Sequence, residues 1–384
     1  NEPLWGHYYQ LHKMQGTQTT NDLASFFYPK NGFGYTKSFA YSEAAPQGSI
    51  FKIVTAYEAL KQTYDKHNAH HLPVFDLNPL TIYDEVNTNI TTENGIVLGR
   101  TLDGSLITRH YKGGRLPRSH VSIGKVDLGT AIERSSNIYF SLLATDVIDH
   151  PASLQKTTEL FGFGKKTGID LISETSGYIP NDLRDNKTSL YSFAIGQHSL
   201  TVTPLQTAVM FSALANGGEI VKPQIAKIKI GVSDSPKHLL PFEKIVKDTI
   251  FLNRPIRDHI FGGLYRVVWG EKGGAAPTRI RSLYQHPKML QNYKNLQDQF
   301  IGKTSTAELI YRPTLDRESP PIICKDTWFG AISFKEKISE NSFDAEPELV
   351  IIVYLRSGDF GKEAAPLATE MIKKWREIQL AHPE

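Results

Sequence analysis

Apolar side chains recur along this chain with two different periods, and the change between them divides it. Ile50, Ile53, Val54, Tyr57 and Leu60 follow the spacing of one helix face. That pattern predicts an amphipathic helix over 50–64 with Ser49 at its N-cap. Helical patterns also cover 127–148 and 203–216, and a shorter one covers 151–160, stopped at Gly162 and Gly164. The last quarter reads differently. Phe300–Leu309, Thr327–Phe334 and Glu348–Arg356 are β-rich runs separated by turn-like segments, the pattern of an antiparallel meander. Residues 363–381 return to helical spacing, with Leu367, Met371, Ile372 and Trp375 on one face. A helix lying on an antiparallel sheet, beside a mostly helical middle, predicts an α+β fold: an antiparallel sheet flanked by helices, with a helical subdomain. Residues 1–48 are rich in aromatics, Gly and Pro and read as irregular structure with short strands, and 65–118 read as polar and loop-rich. The expected organisation is one domain over 1–384. Its sheet part comprises 1–60 and 225–384, and its helical part 61–224.

Composition narrows the function classes. Of 384 residues 40% are hydrophobic and 22% charged, which is globular rather than disordered. The net charge is +3, and no dense basic run interleaved with aromatics is present, so nucleic acid is not the expected partner. The single cysteine, Cys324, forbids an intrachain disulfide and sits beside an apolar run as a packing residue. No apolar run approaches the ~20 residues that span a bilayer. The chain begins at Asn1 without a signal-like segment, and it reads as the excised portion of a longer protein.

Three polar clusters carry candidate chemistry. In Ser49-Ile50-Phe51-Lys52, residues i and i+3 share a helix face, so the Lys52 amine can serve the Ser49 hydroxyl as a base. The same spacing recurs at Ser122–Lys125 and Ser153–Lys156. Only Ser49 has a preceding Gly48, a long apolar-faced helix behind it, and the right partners downstream. Ser135-Ser136-Asn137 interrupts a helical pattern with poor helix formers. It is either a kink or a site where a hydroxyl relays a proton and an amide binds a carbonyl. Lys303-Thr304-Ser305-Thr306 lies in the first late β-run, where a charge and hydroxyls on a strand can address a peptide and its carboxylate. His67, His70 and His71 have no matching Cys or carboxylate pattern, so a solvated loop is expected there. No metal and no cofactor are expected. No Gly-x-Ser-x-Gly elbow is present, which disfavours a Ser-His-Asp hydrolase.

In this order the three clusters resemble the Ser-x-x-Lys, Ser-x-Asn and Lys-Thr-Gly set of penicillin-binding proteins and serine β-lactamases. Further stretches resemble transpeptidase domains. They are Gly162-Phe163-Gly164 with Thr167 to Leu171, Glu174, Gly177 and Pro180; Ala194-Ile195-Gly196-Gln197; Val202 to Gln206; Ala215-Asn216-Gly217-Gly218; and Trp328-Phe329-Gly330. The resemblance runs over roughly 40–380 and is nearest to the class B, monofunctional members. Two departures stand out. Lys166-Thr167-Gly168 is a literal copy of the third motif, but it falls in a glycine-rich turn, so Lys303 is preferred. Position 305 is Ser where the family has Gly, which is expected to narrow the cleft or alter β-lactam affinity. The stretch 65–118 reads as an insertion.

The resemblance implies a D,D-transpeptidase crosslinking peptidoglycan stem peptides. In it Ser49 is the nucleophile, Lys52 the base, and Ser135, Asn137 and Lys303 the supporting catalytic groups. Thr304, Ser305 and Thr306 line the substrate and oxyanion side, with backbone N–H groups of Ser49 and Thr306 as the oxyanion hole. β-Lactams would acylate Ser49. It also implies partners in a cell-wall synthesis complex, and a periplasmic place on the inner membrane through an anchor removed before Asn1. The alternatives are a D,D-carboxypeptidase or β-lactamase on the same scaffold, and a non-catalytic β-lactam sensor or wall-binding module. The class A β-lactamase base is missing, because Val74 stands where Glu-x-x-Leu-Asn would put it before Leu77-Asn78.

Overall fold

A computed structural model describes residues 38–71, 77–85, 91–93, 95–109, 121–184, 186–225, 228–230, 239–241, 243–311, 322–356 and 358–381. The irregular structure expected over 1–37 lies outside these. Gly48–Ile50 form a 3-10 turn, closed by the Phe51 N–H donating to Gly48 O at 2.9 Å. Helix α1 (Lys52–Ala69) follows, and its N-cap is Phe51. Ser49 is therefore not the cap that the sequence pattern predicts. The turn satisfies the entry amide through its own carbonyl, leaving no work for a capping hydroxyl. From Lys52 to Leu60 every residue of α1 is buried, so its first half is a central helix rather than a surface one.

The segment read as loop-rich instead carries a small antiparallel sheet. Strands β1 (Ile82–Asp84), β2 (Thr91–Thr92), β3 (Gly95–Arg100) and β4 (Leu106–Arg109) join β5 (Gly124–Val126). Their order is β2-β3-β1-β5, with β4 also on β3. The longest of them has 6 residues, too few for alternation to stand out. The register that fixes β1 comes from a distant partner, Ile82 opposite Val126.

The pattern over 127–148 resolves into α2 (Leu128–Arg134) and α3 (Asn137–Leu142). Ser135 between them is left-handed, with φ 57° and ψ 44°. Ser136 caps α3 by accepting from the Tyr139 N–H at 3.1 Å. Next come α4 (Pro151–Leu160), α5 (Lys187–Phe193) and α6 (Pro204–Ala215). A capping box starts α6: Thr203 and Gln206 exchange backbone and side-chain hydrogen bonds of 2.8 and 3.0 Å. Short strands β6 (Glu219–Val221) and β7 (Ile228–Ile230) pair with β9 (Val246–Thr249) and β8 (Leu239–Pro241) respectively, ahead of α7 (Arg254–Trp269).

The C-terminal meander is as expected: β10 (Phe300–Tyr311), β11 (Ile322–Phe334) and β12 (Pro347–Leu355) form an antiparallel sheet in that order. Helix α8 (Ala365–Ala381) packs on β11 and β12. Its buried face shares only Ile372 with the predicted one. Ala365, Ala368, Thr369 and Ile372 face inward, whereas Leu367, Met371 and Trp375 are exposed. Small side chains let the helix axis lie close to the sheet, and a count of bulky apolar positions points to the wrong face. The buried apolar residues of the helical middle and of the sheet form one cluster, from Ile50 and Phe140 to Phe329 and Ile372.

Candidate active site

Lys52 is completely buried one residue into α1. Its Nζ donates to Asn137 Oδ1 at 2.8 Å, to the Ser135 carbonyl at 2.7 Å and to Ser135 Oγ at 3.0 Å. The left-handed backbone at Ser135 matters here, because the residue presents both its carbonyl and its hydroxyl to one amine. Non-glycine residues occupy that region at a cost, which a site can hold when its surroundings over-determine it. The carbonyl and the amide oxygen can only accept. The hydroxyl can also donate, so a neutral Lys52 keeps all three contacts by accepting from Ser135. Burial first, then the Lys303 cation, push the Lys52 pKa well below the ordinary lysine range, and Asp84 partly opposes them.

Lys303 on β10 is also completely buried, and burial lowers its pKa to about 7. Its Nζ lies 3.4 Å from the Thr304 carbonyl. Two residues on, Ser305 is 2% exposed, and its hydroxyl donates to Gln47 O at 2.7 Å. The serine at 305 does not face the cleft. It ties the strand to the turn that carries Ser49. Trp328 of β11, paired with Ser305, donates to Pro46 O at 3.0 Å and braces the same segment. Thr306 Oγ1 accepts from the Gly361 N–H at 3.0 Å, so its own proton remains to be donated.

Ser49 itself is half-buried, and its hydroxyl makes no hydrogen bond among the described residues. The turn around it is held from behind. Gly48 N–H donates to Gly196 O at 2.8 Å, and Thr55 Oγ1 donates to Ala194 O at 2.8 Å. Gly196 has φ +72°, and a Cβ there would overlap the Gly48 carbonyl and come within 2.7 Å of Phe51 Cβ. The Ala194–Gln197 stretch thus has a mechanical reason for its glycine: it is the anvil against which the Ser49 turn rests. Gln206 is structural as well, donating to the Lys165 and Ser176 carbonyls at 2.8 Å each.

The competing motif copies lie elsewhere. Lys125, Lys156 and Lys166 are exposed. Around Lys166 the backbone N–H groups of Thr167 and Gly168 bind the Glu174 carboxylate, at 2.6 and 2.9 Å. That copy is a loop closure, and the structure brings Lys303 rather than Lys166 beside Lys52. One residue escaped the sequence reading. Asp84 of β1 is completely buried and accepts from the Ser136 hydroxyl, next to the Lys52 cluster. Its segment looked like loop, and no local spacing links position 84 to 136. Cys324 is buried, and burial raises its thiol pKa.

Comparison with known proteins agrees with this geometry. The profile described as "Penicillin binding protein transpeptidase domain" matches residues 103–253. The peptidoglycan D,D-transpeptidase MrdA of Haemophilus influenzae is 36% identical over 279 residues, 68% of this chain and 38% of that protein. MrdA of Acinetobacter baumannii is 27% identical over 272 residues, 66% of this chain and 35% of that protein. The chain therefore spans well under half the length of these relatives. Among solved structures, penicillin-binding protein PBP2 of Helicobacter pylori in complex with MreC superposes with a TM-score of 0.59 at 19% identity. That match covers 94% of this chain and 54% of the other. Pseudomonas aeruginosa PBP2 superposes with a TM-score of 0.58 at 21% identity, covering 88% and 62%. Shared fold, matching profile and a convergent set of motifs place this chain in the penicillin-binding protein transpeptidase domain family.

Proposed function

We propose that the chain is the catalytic part of a D,D-transpeptidase that crosslinks peptidoglycan stem peptides through an acyl-enzyme on Ser49. The observation that carries this reading is the buried Lys52 amine, held by Ser135 and Asn137 and depressed in pKa, three residues from an unbonded serine hydroxyl. Neutral Lys52 takes the Ser49 proton as Oγ attacks the penultimate D-Ala carbonyl. The backbone N–H groups of Ser49 and Thr306 receive the developing oxyanion, a device whose single donors are worth ~3 kcal/mol elsewhere. The amide nitrogen of Asn137, opposite the oxygen that Lys52 holds, binds a substrate carbonyl. Ser135, hydrogen-bonded to Lys52, passes the proton to the departing D-Ala amine as the peptide C–N bond breaks. An amine from a second stem then attacks the ester, releases Ser49 and forms the crosslink. Thr304 and Thr306 offer hydroxyls to the terminal carboxylate. A β-lactam enters by the same attack and stays.

The relatives named peptidoglycan D,D-transpeptidase MrdA support a place in cell-wall synthesis, for which the extracytoplasmic side of the membrane is the site we propose, and the MreC complex of a structural neighbour supports work within a multiprotein assembly. The test is fluorescent penicillin labelling followed by intact mass and peptide mapping. Ser49 is expected to carry one adduct that releases slowly. Ser49→Ala is expected to abolish labelling with the fold retained, while Lys166→Ala labels normally. Loss of labelling in Lys166→Ala but not in Lys303→Ala would show the third motif to be misassigned.

A further inference from the structure

Two residues past Gly196 the backbone is left-handed at His198, with φ 66°. That region suits glycine, and a residue with a Cβ occupies it at a cost unless its surroundings hold it there. The holding contact is on the page. His198 Nε2 lies 3.0 Å from Asp182 Oδ1. The other carboxylate oxygen, Oδ2, accepts from the Ser189 hydroxyl at 2.7 Å. Ser189 is in α5 and His198 lies beyond its end, so one carboxylate ties the helix to the turn that follows it.

That turn sits between two grips on the nucleophile's segment. Before it, Gly196 O accepts from the Gly48 N–H at 2.8 Å. After it, Val202 and Ala45 exchange two backbone hydrogen bonds of 2.9 Å each. His198 therefore lies in the span that sets how residues 45–48 are held, and these lead directly into Ser49. Helix α5, tied to the same carboxylate, bears on the residues just beyond. The Phe193 ring is 4.8 Å from the Phe51 ring, and Ala194 O accepts from Thr55 Oγ1 at 2.8 Å. Residues 182–202 thus cradle the chain from Ala45 to Thr55, with Lys52 and Ser49 inside that stretch.

Stability does not account for the histidine. Its pair with Asp182 is open to solvent, the two side chains being 29% and 41% exposed, and pairs of that kind contribute little. Glycine would adopt the same φ without strain. The contact returns less to the fold than the left-handed turn costs a residue with a Cβ, and its return lies in the alignment of the cradle.

We infer that His198 and Asp182 are positioning residues for acylation. Their contact fixes the turn between the two grips, and through the backbone of 45–48 it fixes where the Ser49 hydroxyl stands relative to the Lys52 amine. The inference rests on the acyl-enzyme reading and adds to it a control that lies outside the three motifs.

The experiment follows penicillin acylation of Ser49 by intact mass over a range of penicillin concentrations, which separates the limiting rate from the half-saturating concentration. It compares the unaltered chain with His198→Gly, Asp182→Ala and the double variant, each with its urea midpoint. His198→Gly keeps the left-handed turn and deletes the imidazole. Its limiting rate is expected to fall by about tenfold, with the half-saturating concentration held within about twofold and the urea midpoint unchanged or raised. Asp182→Ala should fall by a similar factor, and the double variant no further, because a single contact is lost only once. Asp182→Ala also strips Ser189 of its acceptor, so the glycine variant decides if the alanine variants do not fold. A glycine variant that acylates at the unaltered rate would overturn the inference. So would a rate loss that tracks a lowered urea midpoint, one that multiplies in the double variant, or one confined to the half-saturating concentration. Each of these leaves the Ser49 acyl-enzyme intact. No acylation of the unaltered chain would remove the acyl-enzyme reading, and the positioning role with it.

Discussion

Replacing Ser305 by alanine removes one hydroxyl and leaves the strand its Cβ. In the structure that hydroxyl donates to Gln47 O at 2.7 Å, between residues that are 2% and 0% exposed. The net worth of one such bond is about 1 kcal/mol, and a buried carbonyl left without a donor costs about 1–3 kcal/mol. Gln47 is completely buried, so Ser305→Ala should lose about 2 kcal/mol. Ser305→Gly removes the Cβ too and adds the entropy of a glycine in a strand, about 0.5–1 kcal/mol more. The expected order of stability is Ser, then Ala, then Gly, although Gly is the residue the family motif carries here. Urea denaturation at constant m-value measures the order directly. The functional consequence follows from place. Gln47 leads into the turn that holds Ser49, so a looser turn should slow penicillin acylation by up to about tenfold, with the same single adduct. An alanine variant within 0.3 kcal/mol of the unaltered chain, as flagged by an unchanged urea midpoint, would refute the claim that Ser305 braces the nucleophile. So would a glycine variant more stable than the alanine one.

Lys303→Met should raise stability at pH 6 by roughly 2 kcal/mol or more, because it removes a buried amine that is charged there. The unfolded chain keeps that proton up to the ordinary value of 10.5 while the folded chain releases it at about 7. Stability of the unaltered chain therefore rises with pH between those values, and the advantage of Met should shrink over the same window. Urea midpoints at pH 6, 7.5 and 9 test this, and a gap that does not change with pH contradicts it. Asp84→Asn keeps an acceptor for the Ser136 hydroxyl but removes the charge that raises the Lys52 pKa. The acid limb of the penicillin labelling rate should then move to lower pH, and a limb moved upward or unmoved would mean that Asp84 does not act on Lys52. Gly196→Ala forces a side chain onto φ +72° and against the Gly48 carbonyl. It should cost roughly 3 kcal/mol and abolish labelling, and a loss below about 1 kcal/mol in chemical denaturation would contradict the close approach.

What the chain states in its own local order came through. Helices α4 and α6 begin at Pro151 and Pro204 and end within a residue of the predicted stops, because caps and prolines act on the next four residues. The three late strands paired as a meander for a similar reason: β-branched runs and turns are neighbours in sequence. Ser135 and Asn137 were legible together through their conflict with helical spacing, and both bind the Lys52 amine. Tertiary structure decided the rest. It buried Lys303 near Lys52 and left Lys166 exposed, placed Ser49 in a 3-10 turn, turned Ser305 toward Gln47, and sank the small face of α8 rather than the large one. It also carried Asp84 to Ser136 across 52 positions of chain, from a strand registered by Val126. Local spacing is set by backbone geometry, which every short segment carries with it. Which distant polar group meets which is set by the burial of the whole core, a sum that no short window contains.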